Sequence, residues 1–273
     1  MAYETILYDV ADCICTLTLN RPEKLNAWTG QMHLDLKDAM HKAGADADVR
    51  VIILTGAGRG FCAGADMGGL QAIGAGARAD RSSTVTANLP GASTLAEFRM
   101  NYSYFPAIPK FIIAAINGPA AGLGFVIPLY ADLRFAAESA VFTTAFAQRG
   151  LIAEHGVSWL LPRLIGLPAA MDLLCSARKF RAPEALALGL VSRVIADDKL
   201  MAETRAYARL MADTVSPRSV AVMKRQIWEA EFQTLAEATT QANHEMELSF
   251  QTADFKEGVA HFLEKRAARF TGK

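Results

Sequence analysis

The sequence predicts a mixed α/β fold that ends in a region of helices alone, and three observations carry this prediction. Short runs of β-branched and aliphatic residues alternate with segments of helical periodicity along the earlier part of the chain. Two of these runs are continuously apolar, as expected for strands buried on both faces of a sheet. From Asp197 onward the sequence shows only helical patterns. We therefore expect a core domain over residues 1–195 and a helical region over residues 196–273.

The first elements are two strands and a helix. Thr5–Val10 and Ile14–Leu19 are β-branched and aliphatic, with Ala11-Asp12 between them. Thr29 is a suitable N-cap residue, and apolar residues follow it at helical spacing. These apolar residues are Met32, Leu36, Ala39, Met40 and Ala43. The pattern predicts a strand pair followed by an amphipathic helix.

Two buried strands each run into a glycine-containing turn. Val51–Thr55 leads into Gly56-Ala57-Gly58-Arg59-Gly60, and Phe111–Ile116 leads into a segment that contains Ala120-Ala121-Gly122-Leu123-Gly124. A helix is expected after the second turn, over Phe125–Leu129. Unpaired backbone N–H groups at such a helix start can bind an anion or stabilise a developing oxyanion. No phosphate-loop or dinucleotide-binding glycine motif is present, so a nucleotide-dependent kinase or dehydrogenase is disfavoured.

The rest of the pattern predicts three short strands and a series of helices. The strands are Leu133–Ala136, Ala140–Phe142 and Val191–Ile195. The helices are Val157–Ile165, Pro168–Ser176, Pro183–Leu188, Met201–Met211, Arg218–Ala230, Leu235–Phe250 and Phe255–Arg269. Earlier in the chain, Gly68–Ser93 is rich in Gly, Ala, Ser and Thr and predicts a mobile loop or weak helix. A functional lid and a tolerated surface insertion both fit that composition.

Composition and charge argue against several classes of protein. The 28 Lys and Arg residues balance 28 Asp and Glu residues, which disfavours nucleic-acid binding and a polybasic membrane-surface protein. Cys13 and Cys15 are not expected to form a metal pair. The four cysteines are interpreted as small buried residues in a reducing compartment. With no signal peptide or membrane-length apolar run evident, we expect a cytoplasmic protein without metal or membrane.

Several segments, in order and spacing, resemble the crotonase superfamily of enoyl-CoA hydratases and isomerases. They are Leu19-Asn20-Arg21-Pro22-Glu23-Lys24-Leu25-Asn26-Ala27, Gly60-Phe61-Cys62-Ala63-Gly64-Ala65-Asp66, Ile116-Asn117-Gly118-Pro119-Ala120-Ala121-Gly122-Leu123-Gly124, Ala187-Leu188-Gly189-Leu190-Val191, Phe255-Lys256-Glu257-Gly258-Val259 and Phe262-Leu263-Glu264-Lys265-Arg266. The resemblance covers nearly the whole chain. It implies a spiral of repeated ββα units with a C-terminal helical trimerisation region, assembled as a homotrimer or a hexamer of two trimers. It also implies an acyl-CoA thioester substrate and no separate cofactor, since coenzyme A is part of that substrate.

The resemblance further implies a set of site residues. The backbone N–H groups of Ala65 and Leu123 would form an oxyanion hole that stabilises the enolate of the thioester. Other residues of the same segments and of the C-terminus would contact the CoA portion. The residues expected to bind substrate or CoA are Lys24, Leu25, Ala27, Ala63, Gly64, Ala65, Asp66, Met67, Gly122, Phe262 and Lys265.

Two departures from the family pattern predict the type of reaction. Hydratases of the family carry two catalytic glutamates, and the corresponding positions here are Val126 and Phe146, which cannot transfer a proton. Instead, Glu154 resembles the single carboxylate of Δ3-Δ2-enoyl-CoA isomerases and of the isomerases of phenylacetyl-CoA degradation. A double-bond shift needs only one base, which removes a proton from C2 and returns it at C4. Apolar surroundings would raise the pKa of Glu154 toward the working range.

Alternatives remain open at this stage. His155 could orient Glu154 or carry a second proton, so the nearest alternative is a hydratase that uses Glu154 with His155 or a bound water. Because both usual glutamates are missing, a non-catalytic acyl-CoA binding protein is the other alternative. Trp28 is interpreted as a packing residue. Tyr102 and Tyr104 could line the acyl pocket, although core packing is the stronger expectation, and the sequence does not distinguish an aromatic from an aliphatic acyl group.

Overall fold

A six-stranded sheet forms the centre of the computed structural model, which describes residues 3–75 and 89–273. The strands are β1 (Ile6–Ala11), β2 (Ile14–Leu19), β3 (Val51–Gly56), β4 (Phe111–Ile116), β5 (Ala120–Ala121), β6 (Leu133–Ala137), β7 (Val141–Thr143), β8 (Phe180–Arg181) and β9 (Arg193–Ile195). In the main sheet they follow the order β1-β2-β3-β4-β6-β9, with β1 antiparallel to β2 and all other neighbours parallel. A small second sheet has the order β5-β7-β8.

Helices cover the sheet and form the last part of the chain. They are α1 (Gly30–Ala45), α2 (Met67–Gly74), α3 (Leu123–Val126), α4 (Val157–Ile165), α5 (Leu167–Ser176), α6 (Ala182–Ala187), α7 (Leu200–Thr214), α8 (Pro217–Ala230), α9 (Leu235–Phe250) and α10 (Ala253–Glu264). The predicted α/β class and the predicted C-terminal run of helices are therefore confirmed. In the part of the chain that the structure describes, no helix has the length and apolar content needed to cross a bilayer.

The first helix forms as its sequence predicts. The hydroxyl of Thr29 accepts a hydrogen bond from the backbone N–H of Met32 at 3.1 Å, which caps the N-terminus of α1. All five apolar residues predicted for the inner face of this helix are fully buried. Hydrophobic burial of this face holds α1 against the sheet, since helix propensity alone rarely stabilises a helix of this length.

The sheet is buried on both faces, which explains the continuous apolar runs in the sequence. Ile52 and Leu54 of β3 belong to the larger hydrophobic core, together with the buried face of α1. Val51 and Ile53 point the other way, into a second core that includes Ala208 of α7. The predicted boundary between residues 195 and 196 falls directly after β9, and α7 beyond it packs on the sheet.

Three details differ from the sequence prediction. Cys13 lies in the turn between β1 and β2, with a φ of 61°, and is not part of a strand. Cys13 and Cys175 are exposed, whereas Cys15 and Cys62 are buried as expected. The helix expected to reach residue 269 ends at Glu264, because Lys265 takes a left-handed conformation with a φ of 53°. The low-complexity segment begins with α2, and its residues 76–88 lie outside the described residues.

Candidate active site

The two glycine-containing turns lie side by side at one end of the sheet. Cys62 and Ala120 form a parallel bridge, and the backbone N–H of Ala121 donates to the carbonyl of Cys62 at 3.0 Å. The backbone N–H of Phe61 donates to the carbonyl of Pro119 at 3.1 Å. These bonds align the segment after β3 with the segment after β4, because parallel strands end at the same edge of a sheet.

Gly64 brings these two segments into direct backbone contact. Its φ is +93°, a conformation that residues with a side chain rarely adopt. A Cβ atom at this position would lie 2.8 Å from the carbonyl oxygen of Ala121 and 3.7 Å from the Cα of Gly122. Only glycine fits here, and its contact brings the residue before Ala65 against Ala121 and Gly122, the two residues before Leu123.

The backbone N–H groups of Ala65 and Leu123 are unpaired although their neighbours are bonded. The N–H of Asp66 donates to the carbonyl of Trp28 at 2.9 Å, and the N–H of Gly122 donates to the carbonyl of Thr143 at 3.1 Å. Among the described residues, no hydrogen bond uses the N–H of Ala65 or that of Leu123, the first residue of α3. Two neighbouring unpaired donors are what an oxyanion hole requires.

Two asparagine side chains fix the loops around these donors. Asn26 is fully buried; its amide nitrogen donates to the carbonyls of Ala57 and Gly60, and its oxygen accepts from the backbone N–H of Arg21 at 2.8 Å. Asn117 accepts from the N–H of Gly56 at 3.1 Å. Asn26 was part of the quoted motif but was not expected as a site residue, and its role becomes visible only through these contacts.

The two segments expected to bind CoA are brought together. The N–H of Ala63 donates to the carbonyl of Leu25 at 2.9 Å, so the loop that carries Lys24, Leu25 and Ala27 runs along the loop that carries Ala63 to Met67. Lys24 is exposed and available to an anionic ligand. The carboxylate of Asp66 accepts a hydrogen bond from the backbone N–H of Gly68. This bond is the main cause that lowers the pKa of Asp66, and a nearby guanidinium is the second.

That guanidinium belongs to Arg21, which lies 3.2 Å from Asp66 and donates at 2.6 Å to the carbonyl of Ala27. Asp66 thus caps the start of α2 and connects the two loops. Phe262 and Lys265, by contrast, are not joined to this region by any hydrogen bond, ion pair or ring contact within the described residues. Phe262 is 77% exposed on α10, and Lys265 ends that helix.

Glu154 lies in the turn that precedes α4. Its carbonyl accepts from the N–H of Val157 at 3.1 Å, and its side chain is about two-thirds covered, with an exposed fraction of 32%. This burial raises the pKa of the Glu154 carboxyl above its ordinary value. The Oε2 atom of Glu154 lies 3.5 Å from Nε2 of His155. The pKa of His155 is lowered to about 4, mainly by burial and to a smaller extent by His33.

A chain of contacts through aromatic residues connects the turn of Glu154 with the segment of Ala65. The ring of Tyr102 lies 4.3 Å from that of His155 and 6.4 Å from that of Trp28, centroid to centroid. Burial, and to a lesser degree the negative charge of Glu154, raise the pKa of Tyr102. Trp28 in turn forms a backbone bridge with Ala65. Trp28 and Tyr102 therefore link the turn that carries Glu154 to the segment that carries Ala65.

The chain matches one protein family over nearly its whole length. The family model described as enoyl-CoA hydratase/isomerase matches residues 9–273. The chain belongs to this family. Its predicted crotonase-type fold is confirmed by solved structures: an enoyl-CoA hydratase from Bacillus anthracis superposes with a TM-score of 0.87 at 29% identity, covering 99% of this chain and 100% of that one. An enoyl-CoA hydratase from Polaromonas sp. JS666 gives a TM-score of 0.86 at 28% identity, covering 97% and 99%.

A curated relative extends the comparison. The 1,2-epoxyphenylacetyl-CoA isomerase of Escherichia coli strain K12 is 36% identical over 272 residues, which cover 99% of each chain. The chain is thus an enzyme of the enoyl-CoA hydratase/isomerase type, and the relatives include proteins named for both reactions.

Within this family fold, the two positions without a carboxylate are part of the interior. Val126 is completely buried and Phe146 is 5% exposed, and both belong to the main hydrophobic core. Tyr104, at 2% exposure, is likewise a core residue. Glu154 is thus the carboxylate predicted to act as the base. Among residues 3–75 and 89–273, no group of three potential ligands could hold a metal ion.

A separate cavity of about 490 Å³ lies between α4, α8 and β6, and neither Glu154 nor the two amides line it. Both of its carboxylates are already paired. Asp132 lies 2.9 Å from the buried ammonium of Lys224, and Glu231 lies 3.0 Å from the guanidinium of Arg163. This apolar cavity therefore has no carboxylate free to act as a base, and the turn that carries Glu154 is the better candidate site.

Proposed function

We propose that this enzyme shifts the double bond of an enoyl-CoA thioester, with Glu154 as the only side chain that transfers the proton. The observation that carries the proposal is the placement of carboxylates. Val126 and Phe146 are apolar and buried, whereas Glu154 is partly buried with a raised pKa. A base with a raised pKa accepts a carbon-bound proton more readily than an ordinary glutamate does.

The reaction proceeds through an enolate. Glu154 removes a proton from C2 of a 3-enoyl thioester, and the negative charge develops on the thioester oxygen. The N–H groups of Ala65 and Leu123 donate hydrogen bonds to that oxygen, because preorganised donors stabilise charge that forms in the transition state. The protonated Glu154 then returns the proton at C4, which gives the 2-enoyl thioester and restores the carboxylate.

Hydration is the second candidate, favoured by the names of the solved relatives, which are enoyl-CoA hydratases. Adding water requires a base that activates the water and an acid that protonates carbon. His155 is a poor acid for this step near neutral pH, because burial keeps its pKa at about 4 and leaves the ring uncharged. Glu154 with a bound water would then have to perform both steps, so isomerisation is the simpler reaction for one carboxylate.

The substitution Glu154→Gln tests the proposal. The amide keeps the size of the side chain but cannot accept the proton, and we expect kcat for 3-enoyl-CoA to fall by about 10²–10⁴-fold with KM nearly unchanged. Glu203→Gln is a matched control, because Glu203 is exposed on α7. Retained isomerisation in the Glu154 variant would refute the single-base mechanism. Faster hydration of 2-enoyl-CoA than isomerisation by the unmodified enzyme would favour the hydratase.

Binding of CoA by the paired loops is part of the same proposal. The loop that carries Lys24, Leu25 and Ala27 is hydrogen-bonded to the segment from Ala63 to Met67, and we expect the two together to hold the CoA portion. Phe262 and Lys265 lie elsewhere on the same chain, so we expect them to reach a CoA held by another subunit. Binding of desulfo-CoA, followed by calorimetry, should weaken in a Lys24→Ala variant.

The expected homotrimer or hexamer also belongs to the proposal. Helices α9 and α10 expose several large apolar side chains, which soluble monomers seldom present together. They are Met246, Phe250, Phe255, Val259, Phe262 and Leu263, which are between 42% and 77% exposed. Sedimentation equilibrium would distinguish a monomer, a trimer and a hexamer. A cytoplasmic location stays a prediction.

A further inference from the structure

The backbone of His155 is held in an unusual conformation. Its φ is +56°, and its carbonyl accepts a hydrogen bond from the hydroxyl of Tyr130 at 2.7 Å. Gly156 follows with a φ of +78°, and a Cβ atom there would lie 2.4 Å from the same hydroxyl. A left-handed histidine costs conformational energy and persists only where the surroundings impose it. The contact with Tyr130 therefore fixes where the imidazole can lie.

The imidazole of His155 contacts both the proposed base and the ring of Tyr102. One side of its ring faces Tyr102 at 4.3 Å between centroids, and its Nε2 lies 3.5 Å from Oε2 of Glu154. This separation is slightly too long for a good hydrogen bond. Hydrogen bonds of catalytic groups are often long before substrate binds and shorten in the complex. A small rotation of Glu154 would complete the bond.

Burial favours the uncharged form of the imidazole. Glu154 lies beside it in the same turn, Tyr102 contacts its ring and Tyr130 donates to its backbone carbonyl, while the ring of His33 on α1 lies 5.1 Å from that of Tyr102. Burial first, and then the influence of His33, lower the pKa of His155 to about 4. A neutral imidazole carries one N–H, which it can donate to a carboxylate without neutralising the charge of that carboxylate.

We propose that His155 is a positioning residue for Glu154: its neutral Nε2–H holds one carboxylate oxygen, Oε2, and leaves Oε1 directed at the substrate carbon. The inference rests on the proposed role of Glu154 as the base. It assigns His155 no proton transfer of its own, which distinguishes it from the acid that a hydratase would need. Holding one oxygen matters because a base misplaced by about 1 Å can lose a hundredfold in rate.

Two substitutions distinguish the effect of the N–H donor of His155 from the effect of its ring. His155→Phe keeps a ring against Tyr102 but has no donor, and we expect kcat to fall at least tenfold with KM within about twofold. His155→Gln restores a donor and should recover most of the loss. His244→Phe is the matched control, because His244 is exposed on α9. Equal turnover of the His155→Phe and His244→Phe variants would overturn the proposal, as would a His155→Gln variant no better than His155→Phe.

A measurement that needs no turnover separates this inference from the proposed reaction. NMR of the ¹⁵N-histidine-labelled enzyme would report the protonation of each ring nitrogen, and the signal that is absent from the His155→Gln variant belongs to His155. This signal should show a protonated Nε2 and an unprotonated Nδ1 from pH 8 down to pH 5. A signal that titrates near pH 6.5, or the opposite tautomer, would refute the positioning role. If instead the enzyme lacks isomerase activity but shows the expected signal, only the proposed reaction is wrong.

Discussion

The backbone of Gly64 lies so close to that of Ala121 that a side-chain carbon at position 64 would stand 2.8 Å from the Ala121 carbonyl oxygen. Real Cβ atoms do not approach this closely, so Gly64→Ala must push the two turns apart. The shift would separate the N–H groups of Ala65 and Leu123. Because loss of one oxyanion donor lowers turnover by about 10²–10³-fold, we expect a loss of kcat of that size. Steady-state kinetics with 3-enoyl-CoA would measure it.

Gly69→Ala provides the control for that substitution. Gly69 lies on α2 shortly after the turn, and a Cβ atom there would meet nothing within 4 Å. This variant should keep full activity and gain slightly in helix stability. A Gly64→Ala enzyme that turns over as fast as Gly69→Ala would show that the contact does not set the spacing of the two amides.

The sequence predicts the parts of this molecule that depend on local patterns. Thr29 caps α1 as expected, and the apolar run that begins at Val51 forms a buried strand. The resemblance to the crotonase superfamily places Ala65 and Leu123 on turns that the structure brings together. The end of α10 at Lys265 was missed because a left-handed residue other than glycine leaves no clear trace in the sequence.

Contacts between distant segments were the least predictable. Tyr130 donates to the carbonyl of His155, which lies 25 residues later in the chain. Nothing in the local sequence of Tyr130 distinguishes it from a core tyrosine. Tyr102 reaches His155 from a region of short 3₁₀ turns, where no periodicity fixes the direction of a side chain. Only the folded chain shows that these two rings hold the turn that carries the proposed base.

Glu154 should destabilise the folded enzyme at neutral pH. Its pKa is raised by burial, so the folded chain binds this proton more tightly than the unfolded chain does. Glu154→Gln should therefore raise Tm by about 2 °C at pH 8. The gain should shrink as pH falls through the folded pKa and vanish below about 4.5, the ordinary value. Thermal melts from pH 4 to 8 would test this, and a lower Tm at pH 8 would contradict it.

His155 should have the opposite dependence on pH. Its pKa is lowered from 6.5 to about 4, so the unfolded chain takes up this proton first as the solution is acidified. The stability that neutral His155 gives is complete above pH 6.5 and is lost progressively down to about pH 4. Wild-type Tm should thus fall more steeply over this interval than Tm of His155→Gln. Parallel curves would show that His155 titrates normally in the folded enzyme.

Asn26 should matter for both stability and CoA binding. Its buried amide makes three hydrogen bonds to the backbone of Arg21, Ala57 and Gly60. Asn26→Ala would leave these groups unpaired, and we expect a loss of about 2–3 kcal/mol in the free energy of unfolding. The loosened loop should also raise KM for the thioester severalfold. Asn20→Ala is the control, and equal urea midpoints for the two variants would contradict the prediction.

The C-terminal tail is fastened by one buried carboxylate. Asp254, at the start of α10, accepts from the hydroxyl of Ser216 at 2.5 Å and from the N–H groups of Thr271 and Gly272 at 2.7 Å and 3.0 Å. Its own N–H donates to the carbonyl of Lys273 at 2.9 Å. Residues 265–273 are therefore held against the first turns of α8 and α10, although they form no helix.

Removing this carboxylate should release the tail. Asp254→Ala leaves two backbone donors and the Ser216 hydroxyl without their acceptor, and we expect a loss of about 3 kcal/mol in the free energy of unfolding. Asp254→Asn keeps one acceptor oxygen and should lose less. The exposed Asp198 supplies the control, Asp198→Ala. Urea denaturation measures the stability, and limited carboxypeptidase digestion reports the tail directly. A tail in Asp254→Ala that is digested no faster than in the control would show that other contacts fasten it, such as the 2.6 Å bond from Arg50 to the carbonyl of Phe270.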